Sequence, residues 1–165
     1  MSVVYQVVVF PPDDVQTPVE AFRRLHAPAF HRLSAHLPLL PPFEAPDAGL
    51  LERFDAFASQ GAFEVSLGPA EARGRALVLP VSDGALRIEA LRKDLAAALL
   101  PPLEPEEGES PAVRLGLFAS ESELELARRT AQAVRELPSV RVNAVTLLLQ
   151  DERGIWHEVR TRRLR

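Results

Sequence analysis

Proline constrains this chain more than any other residue. Fifteen prolines are spread over 165 residues, and each removes a backbone N–H and fixes φ, which favours the ends of elements, the first turns of helices and the edges of sheets. The apolar residues, 47% of the chain, therefore fall into short runs. VVYQVVVF, residues 3–10, is β-branched and aromatic up to Pro11-Pro12 and predicts a strand buried on both faces. Val15, Val19, Phe22 and Leu25 then recur at helical spacing, which predicts a helix from Asp14 to about Phe30, ended by Pro28. RLSAHLPLL, residues 32–40, reads as a second strand, and DAGLLERFDAFASQ, residues 47–60, as a short helix with Leu50, Leu51, Phe54 and Phe57 on one face.

The second half is punctuated in the same way. AFEVSLGPAEARGRALVLPVSD, residues 62–83, alternates as two strands joined by a turn holding Gly68-Pro69 and Gly74. A helix from about Gly84 to Leu100 stops at Pro101-Pro102. VRLGLFAS, residues 113–120, is a strand leading into a helix that Ser120 can cap, with Glu123 at capping-box spacing. Residues 140–164 read as a hairpin turning at DERG, where Gly154 supplies the permissive backbone. The order is strand-helix-strand-helix-strand-strand, then helix-strand-helix-strand-strand. It predicts an α+β fold of two similar lobes in a single domain spanning residues 1–165.

Composition excludes several classes. A net charge of −4 argues against a protein that coats DNA or RNA through a broad basic surface, and the absence of cysteine removes disulfides, thiolate nucleophiles and zinc-thiolate sites. Glu104, Glu106, Glu107 and Glu109 cluster in one acidic loop, whereas the tail RTRRLR is basic. No apolar run reaches bilayer-spanning length, and MSVVYQVVVFPP has neither a basic leader region nor a cleavage-like site, so the expectation is a soluble, cytoplasmic protein with no membrane partner. A glycine-rich phosphate loop, a GxSxG elbow and an HExxH pair are all missing, and His26 and His31, five residues apart across a proline, are a weak ligand pair. No metal or other cofactor is expected.

With these elements in order, HLPLLPPF at residues 36–43 resembles the HLTLLPPF signature of the 2H phosphoesterase superfamily, the LigT-like or 2′-5′ RNA ligase family. PAVRLGLF at 111–118 is similar to its second signature, GRALVLPV at 74–81 to the strand between the motifs, and VNAVTLLLQDERGIWHEV at 142–159 to the closing hairpin. The resemblance implies a LigT-like two-lobed fold, with antiparallel sheets lining a central cleft and helices outside. It also implies that each lobe contributes one His-x-Thr/Ser-x strand to that cleft, and that the ligand is a nucleotide or RNA terminus.

Against that pattern only one of four signature residues remains. His36 keeps the first histidine position, but Pro38 occupies the first hydroxyl position, Ala112 the second histidine position and Arg114 the second hydroxyl position. A shifted register with Arg114 at the histidine position puts Gly116 at the hydroxyl position and also lacks a second histidine. In-line attack on a phosphodiester needs a base for the nucleophile and an acid for the leaving oxygen, and two imidazoles divide those roles. His36 is therefore a candidate acid or base, Arg114 a candidate phosphate ligand, and Tyr5, Pro38 and Ala112 candidate cleft positions. The implied function is a divergent 2′-5′ RNA ligase or cyclic phosphodiesterase with a degenerate active site. The alternatives are an active hydrolase that pairs His36 with a recruited group such as Tyr5 or His31, and a protein-interaction role. Competing readings of single residues are a His36 packed at a strand end, an Arg114 paired with the acidic loop, and solvated Arg73 and Arg75 at a turn. Trp156, beside His157, reads as packing rather than base stacking.

Overall fold

A computed structural model describes residues 3–26, 32–45, 49–100, 110–134 and 136–164. Its elements run β1 (Val3–Val9), α1 (Asp13–His26), β2 (Leu37–Ala45), α2 (Leu50–Ala56), β3 (Phe63–Val65), β4 (Glu71–Arg73), β5 (Ala76–Pro80), α3 (Ala85–Leu99), β6 (Ala112–Leu117), α4 (Glu121–Thr130), a 3₁₀ turn (Ala131–Val134), β7 (Val140–Val142), β8 (Ala144–Gln150) and β9 (Trp156–Arg163). This is an α+β fold built on antiparallel sheets.

Two sheets carry the motifs. A four-stranded sheet has the order β2-β1-β8-β9 and a three-stranded sheet the order β4-β5-β6, with β2 packed beside β6. Strand β2 continues through Pro41-Pro42 to Ala45, further than its apolar run predicts. The reason lies in its position: β2 is an edge strand, so prolines cost it no hydrogen bonds to a further strand. Its pairing with β1 slips twice, between Tyr5 and Val7 and between Val7 and Val8, as an irregular proline-bearing strand requires.

Two further differences from the sequence expectation concern strand number. Residues 62–83 form three strands, and β3 leaves its neighbours to pair with β7 as a separate two-stranded sheet. The tight turn is made at Gly74, with φ +59, between β4 and β5. Gly84, with φ +91, lets the start of α3 approach β3 so closely that a Cβ there would lie 2.7 Å from Val65 Cγ1. The closing strand is likewise split at Asn143 into β7 and β8.

Each motif sheet has one core face. In the large sheet Tyr5, Val7, Val9, Leu37 and Leu147 turn toward a continuous core that also takes Val15, Val19 and Phe22 of α1 and Leu50 and Phe54 of α2. In the smaller sheet Leu77, Leu79, Val113 and Leu115 join the same core with Ile88, Leu91 and Leu95 of α3 and Leu124 and Ala127 of α4. The alternate residues of β2 and β6 are thereby left on the opposite faces. Ser120 caps α4, its hydroxyl accepting from Glu123 N at 3.2 Å, while Glu123 Oε2 accepts from Ala119 N at 3.3 Å.

Candidate functional site

Strand register fixes what surrounds His36. Val8 pairs with Pro38 on one side and Thr146 on the other, and Thr146 pairs with Thr161, so these residues form one row across the face away from the core. His36 and Phe10 belong to the next row, their rings meeting edge to face at 6.5 Å. On β6 the half-buried Ala112 and the exposed Arg114 alternate with the buried Val113 and Leu115.

Helix α1 holds the approach to His36. Gln16 Nε2 donates to Ala35 O at 2.5 Å, Ala35 N donates to Glu20 Oε1, and Arg23, ion-paired to Glu20, donates from Nη2 to Leu33 O at 2.8 Å. The strand that follows is anchored too, since Arg92 Nη2 of α3 donates to Pro38 O at 3.0 Å. The sequence gives a faint signal for this grip, because Gln16, Glu20 and Arg23 follow one polar strip of an amphipathic helix.

The imidazole itself is set in one tautomer. Its Nδ1 lies 2.8 Å from Ser34 O, and a carbonyl only accepts, so Nδ1 carries the hydrogen and Nε2 the lone pair. Loss of hydration around the half-buried ring pushes its pKa down to about 4, against the Ser34 bond, which favours the cation; the charges of Arg23 and Arg114 push the same way as burial, and Glu20 opposes them. His36 is therefore neutral at pH 7. The charge of Arg114 thus acts on His36 across the packed strands β2 and β6.

The remaining candidates separate from this pair. Tyr5 is buried on the core face, 6.0 Å from the Phe43 ring, on the side of the sheet opposite His36. Pro38 and Ala112 share faces with His36 and Arg114 respectively, and neither offers a side-chain donor. His31 and the acidic loop of Glu104 to Glu109 lie outside the described residues. Arg73 pairs with Glu71 and donates to Ser110 O at 2.7 Å, Arg75 donates to Ala119 O, and His157 locks the last hairpin through Asp151 at 2.7 Å. Trp156 is half-buried at the start of β9. Among the described residues no three His, Asp or Glu side chains converge as metal ligands, and no helix is long and apolar enough to cross a membrane. Surface hollows on α4, around Glu121 and Arg129, and between α2 and β9, around Ser59 and Arg163, do not include His36 or Arg114.

Two antiparallel sheets that meet at β2 and β6, with His36 beside one strand and Ala112 and Arg114 on the other, give the architecture of a phosphoesterase of the 2H type. Residues 11–154 match the family described as the 2′-5′ RNA ligase superfamily, and the chain belongs to it. The fold is similar to E. coli LigT complexed with 3′-AMP, with a TM-score of 0.72 and 16% identity over 99% of each chain. E. coli LigT complexed with phosphate gives 0.67 and 15% over 99% of this chain and 98% of that one, and a structure described as a phosphoesterase gives 0.62 and 15% over 98% of each. No curated protein matches by sequence.

Proposed function

We propose that this chain is a divergent member of the superfamily that holds the phosphate of a nucleotide or RNA end between His36 and Arg114 and turns it over weakly or not at all. The observation that carries this reading is the occupant of β6: at the second histidine position stands Ala112, and the nearby Arg114 offers guanidinium donors to a phosphate in place of an imidazole.

Proton bookkeeping leads to the loss of turnover. Neutral His36 can accept one proton at Nε2, but with a pKa of about 4 it is a weak base at pH 7. No imidazole on β6 returns a proton to the leaving oxygen, and loss of one positioned proton-transfer group costs about 10²- to 10⁴-fold in rate. Affinity survives better than rate, because a guanidinium presents paired N–H donors to phosphate oxygens. A phosphate dianion beside His36 also favours the imidazolium, so binding should draw a proton onto Nε2 and add a second charged donor. In this reading the two sheets are halves of one site in a single domain that works in the cytoplasm.

The test is an assay at high protein concentration with 2′,3′-cyclic nucleotides and a 2′-5′ linked dinucleotide, beside thermal melts with phosphate. The expected result is no turnover above background and a phosphate-dependent rise in melting temperature. Arg114→Ala should weaken phosphate about 10- to 100-fold while leaving the unliganded melting temperature unchanged. Turnover that vanishes in His36→Ala would replace this reading with an enzyme using a recruited second group. Absence of both turnover and binding would leave the protein-interaction role.

A further inference from the structure

Gln6 is the second residue on the His36 face that chain geometry sets apart. Among the described residues the buried polar side chains are Gln6, 7% exposed, and Thr146, 5% exposed, and both lie on this one face of the large sheet. Gln6 pairs with Leu148 and Val8 with Thr146, two residues apart on β1 with side chains alternating, so Gln6, Val8 and Phe10 line up along the strand toward His36.

The two differ in how they are satisfied. Thr146 Oγ1 has a partner in Thr161 Oγ1 at 3.1 Å. The amide of Gln6 makes no side-chain hydrogen bond to a described residue, yet its polar atoms are not sealed from the surface. Buried amides are ordinarily bonded, and a strand that otherwise reads Val-Val-Tyr-x-Val-Val-Val would be better served by valine or isoleucine at that position. An amide kept there, nearly buried and aimed away from the core, is poised for a ligand.

We propose that Gln6 is the base-reading end of the phosphate site, and that its amide hydrogen-bonds the edge of a purine whose phosphate is held by His36 and Arg114. This rests on the phosphate reading above. The geometry sets the length of the ligand: four residues along β1 separate Gln6 from Phe10, the residue level with His36, and at about 3.3 Å per residue that is roughly 13 Å. Such a span is too long for phosphate alone and suits a phosphate with its nucleoside attached. The amide offers one donor group and one acceptor side by side, which complement the N7 acceptor and N6 donor of adenine.

The experiment is calorimetric titration of wild type, Gln6→Leu and Arg114→Ala with two probes, 3′-AMP and inorganic phosphate, together with melting curves of the unliganded proteins. The inference expects Gln6→Leu to bind 3′-AMP about tenfold more weakly, to bind phosphate as wild type does, and to melt no lower than wild type. Equal 3′-AMP affinity in wild type and Gln6→Leu, with both still dependent on Arg114, overturns the role of Gln6 and leaves the phosphate site standing. A clear fall in the melting temperature of unliganded Gln6→Leu overturns it as well, by making Gln6 a structural residue. Phosphate binding that ignores Arg114→Ala, or no binding of either probe by wild type, removes the phosphate site and this inference with it.

Discussion

Strands β2 and β6 hold equivalent places at the junction of the two motif sheets, and they have diverged in opposite directions. On β2 the titratable group persists and its surroundings have been elaborated: Gln16, Glu20 and Arg23 fix the chain before His36, Ser34 O sets its tautomer, and Arg92 holds Pro38 O. On β6 the face is simple, a small Ala112 followed by an exposed Arg114, backed by a helix that caps itself through Ser120 and Glu123. The contrast teaches that positioning and chemistry can part company. One strand carries an oriented imidazole, and the other an exposed charge with no imidazole beside it.

Making the two strands alike should have the largest effect. The combined variant Pro38→Thr, Ala112→His and Arg114→Thr restores the paired pattern, and turnover of a 2′,3′-cyclic nucleotide is expected to rise about 10²- to 10⁴-fold over wild type. A folded variant with no gain would mean that the difference between β2 and β6 is not what limits the chemistry.

The second effect concerns protons. His36 is held well below its ordinary 6.5 by burial, so the folded protein binds that proton less readily than the unfolded chain. The stability this contributes is intact above about pH 6.5 and is lost as pH falls toward 4. Denaturant melts between pH 7 and 4 should show the loss, and His36→Gln should flatten it. Because a bound dianion favours the imidazolium, titration near pH 5.5 with sulfate, a phosphate-like dianion that carries no proton of its own there, in buffers of different ionisation enthalpy should reveal uptake approaching one proton per sulfate. No uptake in wild type would mean that His36 does not face the ligand.

The smallest effect separates the supports of the two strands. Glu20→Ala removes the acceptor of Ala35 N and the partner of Arg23, and should weaken phosphate severalfold while lowering stability by about 1 to 3 kcal/mol. Ser120→Ala removes the α4 cap and should lower stability by about 1 kcal/mol with phosphate affinity unchanged. Equal changes in affinity would show that the grip of α1 does no more for the site than any local stabiliser.

Much of this was legible from residue pattern. The helices α1, α3 and α4 follow from apolar spacing and from Ser120, and the antiparallel α+β architecture from the order of elements. The extension of β2 through Pro41-Pro42 was hidden because a proline reads locally as a stop, and only the edge position of the strand makes it harmless. The separate β3–β7 sheet was hidden because its strands are 3 residues each and lie far apart in sequence. At the site, alternation along β2 and β6 indicated which residues share a face with His36 and Arg114. It could not indicate that Tyr5 falls on the core side, since that parity depends on where β1 pairs, nor that α1 reaches Ala35.

The prolines of β2 bear on how copies of this chain behave toward one another. An edge strand normally offers a row of N–H and C=O groups on which a neighbouring chain can template, the first step toward aggregation. Here three of the nine residues of that strand have no N–H to offer, and Arg92 occupies the carbonyl of Pro38. Pro38, which departs from the family signature, and Pro41-Pro42, which belong to it, thus leave the β2 flank of the large sheet a poor seed for intermolecular β-structure, so association through this edge should be absent even when the protein is expressed at high concentration.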